Sequence, residues 1–119
     1  MEKEKNILRE SALDFAIKVS EVCENIVGFD NEIDQLRRAS SSIAANLHEA
    51  RYAQSNADFI NKLEVSLKEC SESLFWLKFL YQRKKFDEDN FKKLKNECGR
   101  IQYKLISSIK TVKKRYNIK

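Results

Sequence analysis

A chain of 119 residues with no proline, two glycines and 34% charged side chains has too few turn formers for an all-β fold; its length favours one domain, residues 1–119, of amphipathic helices around a single core. No apolar run approaches the roughly 18 residues of a membrane span, and the N-terminal MEKEKN has no apolar leader, so a cytoplasmic protein is expected. The net charge of +5 is unevenly spread: residues 1–82 carry 10 basic and 14 acidic side chains, residues 83–119 carry 13 and 4, an asymmetry that points to an anionic partner.

The first element is a helix over about 6–27. Leu8, Ala12, Phe15, Val19, Val22 and Ile26 recur in alternating steps of four and three, the seam of a packed helix, and Ala16, Cys23 and Val27 widen it. Gly28 offers a left-handed cap, and Phe29-Asp30-Asn31 a turn with a side-chain cap for the next helix.

That second helix, about 31–52, has its seam at Ile33, Leu36, Ser40, Ile43, Leu47 and Ala50. The period runs straight through ASSSIAAN, so the stretch is helical although its inward positions are small. Ser and Ala at a seam let helices approach toward the short end of the 8–10 Å interaxial range. A large neighbouring side chain, Trp76 or Phe75, is expected to fill the remaining space, from this chain or another copy.

Ser55 caps the third helix, about 56–84, with Asp58 three residues on as a variant capping box. Its seam is Ile60, Leu63, Leu67, Cys70, Leu74, Leu77 and Tyr81, flanked by Phe59, Trp76 and Leu80. The fourth, about 88–116, is capped by Asp87, with Phe86 placed to staple onto Phe91. Leu94, Cys98, Ile101, Leu105, Ser108 and Val112 form its seam, with Ile106 and Ile109 beside it. Four helices with short connections make an all-α, antiparallel up-down-up-down four-helix bundle.

Catalytic and metal chemistry find little footing. Cys23, Cys70 and Cys98 are odd in number, widely spaced and on apolar stripes, which suits small buried hydrophobes better than a zinc site. The one histidine, His48, cannot build the paired Glu-x-x-His motifs of a di-metal bundle; only a ring of His48 from several copies remains. Ser42 and His48 lie six residues apart on one helix and point to different sides, so no nucleophile–base contact forms. There is no glycine-rich phosphate loop. No enzyme, cofactor or metal is expected.

Within helix two, Asn46 and Glu49 are expected to form a polar network with Arg37 or Arg38 that fixes helix register or a subunit interface. The basic set carries the functional signal. Arg83, Lys84 and Lys85 end helix three; Lys92, Lys93 and Lys95 begin helix four; Lys110, Lys113, Lys114 and Arg115 end it; Arg37, Arg38 and Arg51 belong to helix two. Phosphate binding by counterion release grows with the number of cationic contacts, and Tyr81, Tyr103 and Tyr116 lie near these charges for stacking on bases. No base-reading motif is present, so binding would follow charge and shape.

The stretch QLRRASSSIAANLHEARYAQSNADFINKLEVSLKECSESLFWLKFL resembles the signature region of a bacterial family, the 23S ribosomal RNA intervening sequence proteins. The matching residues are Gln35-Leu36-Arg37-Arg38, Ser42-Ile43, Asn46, Glu49-Ala50, Ser55, Asp58-Phe59, Lys62-Leu63, Lys68-Glu69, Glu72 and Trp76-Leu77. The resemblance implies an up-down four-helix bundle that assembles as a homopentamer and has no attached enzymatic activity. Ser42, Asn46, Glu49 and Trp76 of this stretch, with Ser40 and Ala44 of the small-residue run, are candidate assembly positions. The resemblance also implies self-association, with RNA or DNA, or a protein, as the further partner; a related accessory protein of retroelements works with a reverse transcriptase and nucleic acid. Five copies would carry about +25 on one particle, so individually weak patches would be repeated about an axis.

Overall fold

The computed structural model describes residues 2–118. The period-3.6 pattern becomes four helices, α1 (Glu2–Cys23), α2 (Asp30–Ala50), α3 (Asn56–Gln82) and α4 (Glu88–Arg115). Each packs on its sequence neighbour, α4 returns to α1, and the backbones of diagonal pairs stay farther apart. The result is an all-α, up-down-up-down bundle, 47 × 23 × 22 Å.

Most seam positions are buried where the spacing puts them, while Val22, Ser108 and Ile26, the last beyond the end of α1, are half-buried. Leu8, Ala12, Phe15, Val19 and Cys23 of α1 are buried, as are Ile33, Leu36, Ser40, Ile43, Leu47 and Ala50 of α2. Leu94, Cys98, Ile101, Leu105, Ile109 and Val112 complete the wall from α4. In α3, Ile60, Leu63, Cys70 and Leu77 are buried, while Leu67, Leu74 and Tyr81 are half-buried at its edge. The three cysteines are unpaired and buried, and Cys98 Sγ donates to the Cys70 carbonyl at 3.5 Å.

Two caps follow their residues. Ser55 Oγ accepts from the Asp58 amide at 3.0 Å, and the Asp58 carboxylate accepts from Gln54, one residue further back than in a standard box. Asp87 accepts from the Asn90 amide at 2.7 Å. Phe86 is buried in the core, Phe91 packs against that core, and the Phe91 ring also stacks flat on Tyr81 of α3, centroids 4.1 Å apart.

The α1–α2 connection departs from expectation. Helix α1 stops at Cys23 rather than at 27, and Val27 is 84% exposed. Gly28 (φ 84°) and Phe29 (φ 56°) are both left-handed, which reverses the chain without an Asx cap. Phe29 itself is the cap residue, with no side-chain hydrogen bond, and Asp30 falls inside the first turn. The Phe29 ring explains this: it packs on Phe79 beneath the cations of Arg83 and Lys85, 4.7 and 5.2 Å from its centroid. Lys85 also donates to the Val27 carbonyl at 3.0 Å.

The small run of α2 is answered inside the chain. Ser66 and Ser73 of α3 are fully buried against it, with Ala39 and Ser40 equally enclosed. Ser66 Oγ donates to the Ile43 carbonyl at 3.0 Å, a side chain of one helix reaching the backbone of the next, which only a close approach permits. Trp76 is half-buried against the core beside Phe75 and Phe79, and Phe75 is 58% exposed.

A candidate nucleic-acid interface on helix α4

Helix α4 buries one stripe and exposes the other. Its outward stripe reads Lys92, Asn96, Arg100, Tyr103, Ser107, Lys110 and Lys114, in steps of three and four, and all seven are exposed. After Glu97 the sequence has no carboxylate side chain, while Arg100, Lys104, Lys110, Lys113, Lys114, Arg115 and Lys119 are basic. Tyr103 stands in the middle of the stripe, 75% exposed, over a shallow hollow beside Gly99, Leu74 and Gln102. Gly99 leaves that space open: a Cβ there would meet nothing within 4 Å. Cations flanking an exposed aromatic ring are the elements of a phosphate-tracking, base-stacking surface.

The structure divides the sequence-derived basic set. Arg83, Lys84, Lys85, Lys92, Lys93 and Lys95 gather where α3 hands over to α4. Lys110, Lys113, Lys114 and Arg115 lie at the other end of α4, roughly 32 Å away at 1.5 Å per residue between Lys92 and Lys113. Arg51, at the end of α2, shares the latter end of the bundle.

Several cations are committed to internal contacts. Lys92 pairs with Glu88 at 3.1 Å and Lys113 with Glu64 at 3.3 Å. Lys95 lies 5.8 Å from the Phe91 ring and Arg51 5.9 Å from Tyr52. Lys18, by contrast, bridges α1 to Glu97 of α4 at 2.8 Å, so the last carboxylate before the basic segment is itself engaged. Arg100 and Lys104 were absent from the sequence-derived set; the signal for them was the acid-free run after Glu97 combined with the helical period.

Arg38 belongs elsewhere. Its guanidinium crosses from α2 to α3, contacting Glu69 at 3.2 Å and making a short bond to Glu72. The bond to Arg38 holds the Glu72 carboxyl below the usual carboxylate range. Burial raises Glu69 above it, because Glu69 Oε1 is enclosed with no hydrogen-bond partner. Arg37 donates to the Ser20 carbonyl of α1 at 3.4 Å. The network expected within α2 does not form: Asn46 donates to the Ser42 carbonyl at 2.9 Å, and Glu49 faces Lys62 of α3 at 3.8 Å. Arg38 and Glu49 share the face of α2 that meets α3, but eleven residues, about 16 Å along the axis, separate them, and the acids that meet Arg38 come from the next helix.

Ala44, Ala45, Ser41 and His48 of α2 line a shallow groove with Leu13 and Ala16 of α1. Leu13 and the neighbouring Ile17 are 55% and 49% exposed. His48 meets Tyr52 edge-on at 5.7 Å.

The molecule is an up-down four-helix bundle with a basic stripe on α4 and a separate exposed apolar strip on α1. The chain belongs to the 23S rRNA-intervening sequence protein family, whose model matches residues 4–107. It is similar over 90% of its length, at 34% identity and a TM-score of 0.84, to a crystallised protein of unknown function from the S23 ribosomal protein family of Bacteroides thetaiotaomicron VPI-5482, 98% of which is covered. No curated protein sequence matches the chain. The basic residues from Lys110 onward lie beyond the matched range.

Among the described residues no helix is long and apolar enough to cross a membrane.

Proposed function

We propose that the chain acts without catalysis as a homo-oligomer, a pentamer as its family resemblance implies, and binds RNA or another nucleic acid through the outer face of α4 in the cytoplasm. One observation carries the nucleic-acid reading: the stripe of Arg100, Tyr103, Ser107, Lys110 and Lys114, on a helix segment with no carboxylate side chain after Glu97. Each phosphate neutralised releases counterions, so binding should weaken linearly in log salt, and repetition about an axis multiplies the contacts.

The test is fluorescence anisotropy of a labelled, structured RNA titrated with the protein from about 50 to 200 mM salt. Binding with a steep negative salt slope, made shallower by Lys110→Glu with Lys114→Glu, is the expected outcome. Absence of binding at about 50 mM salt, where electrostatic association is strongest, would refute the reading.

The exposed Leu13 and Ile17 favour a second reading, an oligomeric scaffold that recruits a protein partner and binds no nucleic acid. It expects the α4 charge reversals to leave that partnership intact.

A further inference from the structure

At the end of the bundle where α1 and α3 begin and α2 and α4 finish, the four helices do not close on one another. They leave a cavity of about 260 Å³, near the lower bound of small-molecule pockets. Its origin is legible in the residues. Ser108 occupies a seam position of α4 where the pattern asks for a large side chain, Ala50 ends the α2 seam, and the α1–α4 seam is the loosest of the four.

The floor is apolar and buried: Leu8, Leu47, Ala50, Leu63 and Val112. Hydroxyls of Ser107, Ser108 and Thr111 line one wall, and Lys5, Arg9 and Lys104 stand at the margin. Among the described residues no Asp or Glu lines the cavity. The contacts of two of these cations are to neutral groups, Lys5 over the Phe59 ring at 5.0 Å and Arg9 with Asn6.

We propose that this cavity binds a small amphiphilic anion, a medium-chain carboxylate being its simplest form. A purely apolar guest would strip water from three cations and three hydroxyls without replacing it. A small inorganic anion would leave the apolar floor wet. A ligand with both parts satisfies both surfaces, its chain on Leu8, Leu47, Leu63 and Val112 and its head group among Lys5, Arg9 and Lys104. At the roughly 30 Å³ that a water-sized group occupies in a liquid, the space admits about eight or nine such groups, enough for the carbon chain of octanoate with its carboxylate oxygens at the open margin. Nothing in this assignment depends on the nucleic-acid reading, and it is tested on protein free of nucleic acid.

The experiment is isothermal titration of the full chain with octanoate below its micelle-forming concentration, with octanol as the uncharged control and anionic phospholipid vesicles as the membrane control. Saturable binding of one octanoate per chain is expected, about tenfold or more tighter than octanol, since the head group engages charged donors. Lys104→Gln should weaken octanoate several-fold and leave octanol unchanged. Ser108→Leu should fill the cavity and abolish binding of both; if that variant fails to fold, Lys104→Gln decides alone. No saturable binding of octanoate, equal affinity for octanol, unchanged binding in Lys104→Gln, or binding to vesicles without binding to free octanoate would each overturn the assignment.

Discussion

Arg38 is half-exposed, yet its position is more consequential than a surface ion pair. Surface pairs contribute about 0–1 kcal/mol, and the Glu72 arm of this contact belongs to that class. The Glu69 arm does not, because Glu69 is buried to 9% exposure with one oxygen unpartnered. Arg38→Ala strands that carboxylate and is expected to cost about 1–3 kcal/mol in urea melts at pH 7. Glu69→Gln in the same background should recover part of the loss, a coupling that a double-mutant cycle measures directly. The pH dependence has a definite sign. Glu72 sits below its ordinary value, so its stabilising contribution is present above the unfolded-state pKa and is lost as pH falls through the folded one. Glu69 sits above its ordinary value, so its ionisation opposes folding and it protonates first on acidification. Both protonations deprive the guanidinium of its partners, and the Arg38→Ala penalty should shrink from pH 7 to about pH 4. A penalty that is constant across that range would show that Arg38 acts through its aliphatic stem instead.

At the scale of the helix, the thin face of α2 and the buried serines of α3 form one device. Ser66 bonds the Ile43 carbonyl because nothing bulky keeps the two helices apart. Ser66→Leu or Ala39→Leu should overfill this contact and destabilise by about 1–3 kcal/mol, whereas Ala44→Leu, at the half-buried edge beside the α1–α2 groove, should cost less. Thermal melts rank the three; equal and negligible shifts would mean that α2 and α3 are not closely apposed.

The seam of α2 was readable from spacing alone, Ser40 included, because a helical period does not depend on residue size. What faced the small residues was not readable. Period assigns a stripe to each helix but does not pair one stripe with another, so Ser66 and Ser73 looked like ordinary polar positions. Asp87 and Ser55 declared their caps because a cap is local. The left-handed Phe29 did not, because its conformation is held by Phe79, Arg83 and Lys85 from a distant part of the chain. The basic residues were likewise visible as types and invisible as a surface, until the bundle separated the Lys92 end from the Lys113 end.

For the molecule as a whole, α1 and α2 present a different surface from α4. Leu13 and Ile17 stand exposed beside a groove floored by Ala16, Ala44 and Ala45, and small side chains of that kind let a second helix approach closely. On the oligomeric reading, this strip is where copies of the chain meet, leaving the basic face of α4 outside the contact. Leu13→Glu with Ile17→Glu adds charge at positions that the monomer core does not use, so each chain should keep its helicity and melting behaviour. Native mass spectrometry or light scattering should then report a shift from an assembly toward the 14.0 kDa chain. RNA affinity should fall with it, because phosphate contacts from separate copies no longer add on one particle. If the double variant stays assembled, the copies meet elsewhere. If the unaltered chain is itself a monomer at micromolar concentration, α4 must bind with one helix face alone, and the salt slope should correspond to only a few phosphates.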